Sequence, residues 1–182
     1  MYNIIFTAAI ALLILFVIII YNRLITLRNY KIEAFSTMDV YLKKRWDLVP
    51  NLIEIVKAYT KHEKDVLEEI TQLRSDNYSN MSENDKIDAN KKLGENLSKI
   101  IAIVENYPDL KANEHYAKMM EELTSIEDDI ANARKYYNGC VRILNNTVEI
   151  FPMSIVANLF GIKSAKMFEI TDNERQNIKA EL

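Results

Sequence analysis

The first 22 residues carry no charged side chain, and between Ile4 and Tyr21 the polar side chains are only Thr7 and the terminal Tyr21. Coiled as a helix, residues 2–21 would be about 30 Å long, the thickness of a hydrocarbon core. Tyr2 and Tyr21 fall where an aromatic belt would sit. A cleavable signal peptide would need a basic start, a shorter apolar stretch and a small-residue cleavage site, and the stretch shows none of these. The pattern predicts a retained membrane anchor over 1–22. Arg23, Arg28 and Lys31 follow the span and no Lys or Arg precedes it. The positive-inside bias then puts the N-terminus outside and the remainder in the cytoplasm, at the cell membrane.

Beyond the span, hydrophobic positions recur three and four residues apart. Leu24, Leu27, Ala34, Met38 and Leu42 form one stripe, predicted to end near Trp46, because Val49 before Pro50 is driven out of the α region. A second helix is predicted over 51–74, with the stripe Leu52, Val56, Tyr59, Glu63, Val66, Ile70 and Leu73, closed by a polar loop at 75–80. Ser82, with Asp85 three residues on, caps a third helix reaching Asn106. A fourth runs from Asn113 or Glu114 to Ile150. Its seam of Tyr116, Met119, Leu123, Ile126, Ile130, Ala133, Tyr137, Cys140, Leu144, Thr147 and Phe151 is that of a coiled coil or helical bundle.

These stripes predict an all-α fold. The transmembrane helix continues into an antiparallel four-helix bundle of long helices, followed by a short C-terminal helix. The domains expected are the anchor at 1–22, the bundle at 23–170 and a polar tail at 171–182. The short helix, around Ile155, Val156, Leu159 and Phe160 and stopped by Gly161, would either plug the base of the bundle or lie on the bilayer.

Composition narrows the chemistry. Three glycines and three prolines in 182 residues argue against a β-rich fold or a glycine-lined phosphate loop. A single cysteine, Cys140, excludes an internal disulfide, and a net charge of −3 gives no general attraction to nucleic acid. The histidines are His62 and His115. A bundle di-iron site wants Glu three residues before a histidine, and Tyr59 and Ala112 stand there instead. No cofactor, metal or nucleic-acid partner is expected.

Two polar groupings stand out. Glu63 occupies an apolar seam, where a carboxylate needs a partner, and Arg45 or Arg134 could supply it as a register-fixing pair. Lys44, Arg45, Trp46 and Asp47, with Tyr107 and Asp109, fall in the turns expected farthest from the membrane. They serve either as caps or as a docking patch.

Several strings are also familiar: YNRL at 21–24, MDV at 38–40, LKKRWDLVPNL at 42–52, YTKHE at 59–63, VENYPDLKAN at 104–113, ARKYYN at 133–138 and LFG at 159–161. In this order they resemble the LemA family over residues 2–168. Trp46 stands where that family usually shows tyrosine, and Phe35 where it shows tryptophan. The resemblance implies an outer N-terminus, one span and a cytoplasmic helical bundle, with no established catalytic activity. It also implies a membrane protease or other membrane protein as partner. The function expected is a membrane-anchored scaffold or adaptor, self-associating as a homo-oligomer on the lipid bilayer, and no enzyme. The alternative is a receptor-like helical sensor or surface protein with its bundle outside the cell.

Overall fold

The computed structural model describes residues 1–60, 64–73 and 77–169, and among them every regular element is helical. In chain order these are α1 (Tyr2–Tyr59), α2 (Lys64–Leu73), a 3-10 turn (Tyr78–Asn80), α3 (Glu83–Val104), the single turn α4 (Pro108–Lys111), α5 (Glu114–Glu149) and α6 (Met153–Leu159). The chain divides into two compact units, one of residues 1–36 with 134–167, the other of 37–133 with 168–169 among the described residues.

In the first unit, the opening of α1 is long and apolar enough to cross a membrane, and only 6% of its 18-residue apolar window is buried. The apolar side chains there face outward, as a lipid-facing helix requires and a soluble core helix does not. Burial begins at Ile20. Ile20, Leu24 and Leu27 of α1 form a cluster with Leu144 of α5, Val156 and Ala157 of α6, and Ile162. Further along, Phe35 meets the ring of Tyr137 edge-on, with centroids 5.7 Å apart.

The end of α6 shows how the chain turns there. Gly161 takes φ +67°, the left-handed conformation that glycine adopts without a side-chain clash. The Ile162 amide donates to the Ala157 carbonyl at 2.9 Å and the Gly161 amide to the Asn158 carbonyl at 3.3 Å. This is a Schellman cap, completed by the apolar contact of Ala157 and Ile162 within one cluster. The segment after it is tied to α5. Asn145 donates to the Ala165 carbonyl at 2.9 Å and accepts from the Ala165 amide at 2.8 Å, and Tyr137 donates to the Lys166 carbonyl at 2.8 Å.

In the second unit, Met38, Leu42, Trp46, Val49, Leu52, Ile53 and Val56 form the buried stripe of α1. α3 contributes Ile87, Leu93, Leu97, Ile100 and Val104, and α5 contributes Leu123, Ile126 and Ile130. α2 packs on α3, with Ile70 fully buried and Lys99 bridging to Glu69 at 3.2 Å. The helix starts follow the sequence reading. Ser82 caps α3, its Oγ accepting from the Asp85 amide at 3.3 Å, and Asn113 caps α5 by accepting from the amides of His115 and Tyr116.

One expectation is overturned. The chain does not break at 47–50: α1 runs through Pro50 to Tyr59, so the segments expected as the ends of two helices are one. An interior proline forfeits a backbone hydrogen bond and crowds the carbonyl four residues back, costing about 3 kcal/mol. Five neighbours, Trp46, Val49, Leu52, Ile53 and Val56, are buried only while the stripe stays helical. At about 1.5–3 kcal/mol for each fully buried apolar side chain, their burial outweighs the proline. The seam expected along α5 also ends sooner, since Leu144 is buried whereas Phe151 lies beyond the helix and is exposed.

Candidate functional site

Arg45 organises the polar interior of the second unit. In α1 the positions 38, 42, 45, 49, 52 and 56 alternate by four and three residues, and all are buried. Arg45 therefore occupies a core position. Its Nη1 donates to both carboxylate oxygens of Glu127 on α5, at 2.9 and 3.1 Å. Its Nη2 donates to the backbone carbonyl and side-chain oxygen of Asn90 on α3, at 2.8 and 3.1 Å. One guanidinium thus ties three helices. Its Nε, also buried, has no hydrogen-bond partner among the described residues.

The network continues through Asn90, whose Nδ2 donates to the Tyr78 hydroxyl at 3.2 Å and to the Lys86 carbonyl at 3.0 Å. Tyr78 donates to Asp39 at 2.8 Å, and Lys86 bridges the other oxygen of Asp39 at 2.6 Å. The Tyr78 ring lies against Trp46, with centroids 5.1 Å apart, and beneath the Lys86 ammonium at 4.9 Å. Burial, then the hydrogen bond to Asp39 and its charge, hold the Tyr78 hydroxyl far above the usual tyrosine range, despite the opposing effect of Asn90 and Arg45. The hydroxyl is therefore a fixed donor rather than a base. No group of three or more His, Cys, Asp or Glu side chains that could hold a metal occurs among the described residues.

The residues singled out from the sequence fall in several places. Glu63 lies outside the described residues, and so does the pairing expected of it. Arg134 is half-buried on α5 and belongs to the first unit. Lys44, Arg45, Trp46 and Asp47 were expected in a turn but lie inside α1. Arg45 and Trp46 face the core there, because the helix continues past Pro50 and keeps both on its buried stripe. Lys44 and Asp47 are exposed and line an open cleft of about 480 Å³ with Asn51, Glu122 and Asp129. Tyr107 precedes α4 and is half-buried, whereas Asp109 is exposed. Of the residues flanking the span, Tyr2, Arg23 and Arg28 are exposed, and Tyr21 and Lys31 half-buried. In α6, Val156 packs inward while Ile155 and Leu159 point out, and Phe160 just after it is half-exposed.

Sequence reasoning passed over Asp39, Tyr78, Lys86, Asn90 and Glu127. Asn90 was legible, since positions 90, 93, 97, 100 and 104 form the buried seam of α3. Glu127 stands in an acidic run, and nothing local separates it from Asp128 and Asp129.

An apolar membrane-length helix leading into charged helices, tied by a buried ionic network, defines a membrane-anchorable all-α protein. The comparisons narrow the class. The LemA family profile matches residues 34–181, and the chain belongs to the LemA family. It is 24% identical over 159 residues to Protein LemA of Metamycoplasma hominis, covering 86% of this chain and 72% of that one. It is also 33% identical over 76 residues to Magnetosome protein MamQ 1 of Paramagnetospirillum magneticum, and 32% identical over 75 residues to Magnetosome protein MamQ of Magnetospirillum gryphiswaldense. Those stretches take in 42% and 41% of this chain, and 28% of each magnetosome protein.

Proposed function

We propose that the protein is a membrane-anchored helical scaffold or adaptor, with its body in the cytoplasm and no catalysis of its own. The observation that carries this reading is the contrast along α1: an outward-facing apolar window, then Arg23, Arg28 and Lys31. The fold read for the body is an antiparallel helical bundle, supported by Arg45 joining α1, α3 and α5 and by the packing of α2 on α3.

Confinement to a surface raises local concentration, so weak lateral contacts suffice for self-association. Tyr30, Ile32, Tyr136 and Ile143 of the first unit are about half exposed and suit such contacts, and the cleft by Lys44 and Asp47 suits a membrane-protein partner.

Two measurements test the reading. Protease should spare the body in intact cells and digest it after lysis; digestion in intact cells would reverse the orientation. Cross-linking of the full chain in vesicles at high density should give dimers and larger species, and a body that stays monomeric would remove self-association.

A further inference from the structure

We infer that α6 with the residues just before it is a second membrane contact, a short amphipathic helix seated in the interface beside the span and followed by a basic pocket for an anionic phospholipid headgroup. The inference rests on insertion of the span and is independent of which side holds the body.

The first argument is depth. The Phe160 ring lies 4.6 Å from that of Tyr21, the aromatic residue closing the apolar stretch. Val17, Tyr21 and Ile25 of α1, together with Met153, pack on the cluster that holds Val156 and Ala157. Residues 17–25 of a helix span about 12 Å, so α6 is pinned to the last turns of the apolar stretch and the first beyond it. That interval is where hydrocarbon gives way to headgroups.

The second argument is the outer face. Phe151, Leu159 and Ile155 are 76%, 74% and 60% exposed, and Phe160 and Ile150 about half. Such a cluster of large apolar side chains facing water calls for an explanation. At the level of Tyr21 the medium meeting these side chains is the interface, where amphipathic helices bury an apolar face about 5–10 Å deep. The same helix therefore spends Val156 and Ala157 on the protein and the rest on lipid. The two roles expected of it from sequence are opposite faces of one element.

The third argument is charge. Arg28, Lys31 and Lys163 line a cavity of about 320 Å³ with Gly161 and Ser164. Arg28 is seven residues beyond Tyr21, about 10 Å along the helix. A long basic side chain can lean back toward the headgroups from that height. Near an anionic leaflet each such residue contributes about a fivefold gain in association.

The test uses the full chain, with Cys140→Ser as background, reconstituted in phosphatidylcholine vesicles with and without phosphatidylglycerol. A nitroxide is attached in turn at Leu159→Cys, Ile155→Cys, Ile10→Cys in the span and Lys99→Cys on the body. Labels at 159 and 155 should lose collisions with a water-soluble nickel chelate and gain them with oxygen, as at 10 and unlike 99. Nickel access at 159 and 155 equal to that at 99, with 10 still shielded, overturns the interfacial helix while leaving the anchor intact. Nickel access at 10 as well overturns the anchor itself. For the pocket, spin-labelled phosphatidylglycerol should associate with the protein more than spin-labelled phosphatidylcholine. The preference should fall about fivefold or more in Arg28→Gln with Lys163→Gln. An unchanged preference removes the headgroup site.

Discussion

Removing either partner of the Arg45–Glu127 pair should have unequal consequences, because the two side chains differ in their access to water. The Arg45 side chain is 4% exposed and that of Glu127 38%. Glu127→Ala leaves a guanidinium in the core whose partners among the described residues are the neutral oxygens of Asn90. An uncompensated buried charge costs about 3–5 kcal/mol, and the retained Asn90 bonds put this case at the low end, about 3 kcal/mol. Arg45→Met fills similar volume with apolar atoms. Glu127 then rehydrates, and Asn90 keeps its bonds to Tyr78 and Lys86. The remaining loss is one charge-assisted interaction between groups of which one is already partly wet, about 1–2 kcal/mol.

The assay is thermal unfolding of the full chain in detergent, followed by the emission of Trp46. This is the sole tryptophan, buried beside Tyr78 and next to Arg45 in sequence. Thermal midpoints should fall by about 6–12 °C for Glu127→Ala and about half as much or less for Arg45→Met. The double variant should sit near Arg45→Met alone, giving a coupling energy of about 3 kcal/mol between the two sites, the whole cost of Glu127→Ala. If Arg45→Met proves the more damaging change, or if the two costs simply add, the network is not an ion pair governed by the desolvation of Arg45.

Other expectations follow from single contacts. Tyr78→Phe keeps the ring against Trp46 and removes the hydroxyl between Asp39 and Asn90, so denaturation should show a loss of about 1 kcal/mol. Because the native state holds the Tyr78 proton more tightly than the unfolded chain, stability should fall as pH rises past about 10, the ordinary tyrosine value. Urea midpoints measured through that range should show a shallower decline in Tyr78→Phe, and identical slopes would contradict a buried neutral hydroxyl. Gly161→Ala meets no atom within 4 Å, so its cost should be that of the left-handed backbone alone, about 1–2 kcal/mol, read as faster tryptic cleavage at Lys163. Ser82→Ala should lower stability by about 1 kcal/mol by uncapping α3, visible as a reduced urea midpoint.

How far the sequence could be read depended on whether a feature is carried by one segment or by several. The cap at Ser82, the start of α5 and the glycine stop at Gly161 are local, and each stands where its residues predicted. The break expected at Pro50 is local too, yet it fails. Proline sets a cost at one position, whereas the gain that exceeds it is distributed over Trp46 to Val56 and exists only once α3 and α5 cover that face. A helix that turns at Pro50 and one that passes through it have the same local sequence, so only the tertiary gain distinguishes them.

The ionic network carries the same lesson in sharper form. Seam arithmetic exposed one half of it: a charge at a three-and-four position announces a buried group, and Arg45 meets that condition between Leu42 and Val49 as well as Glu63 does between Tyr59 and Val66. Arg45 passes unnoticed as soon as a turn is assumed at Pro50, because the seam is then cut beside it. The partner is a different matter. Glu127, Asp128 and Asp129 are chemically alike and adjacent, and selecting among them requires the rotation of α5 about its axis, which Leu123, Ile126 and Ile130 set by facing the core. That rotation brings position 127 to the edge of the buried face, where a carboxylate can reach inward while its other side stays wet. A charge on a seam therefore tells that a partner exists, and the partner is to be sought at the boundary positions of the facing helices rather than in their cores.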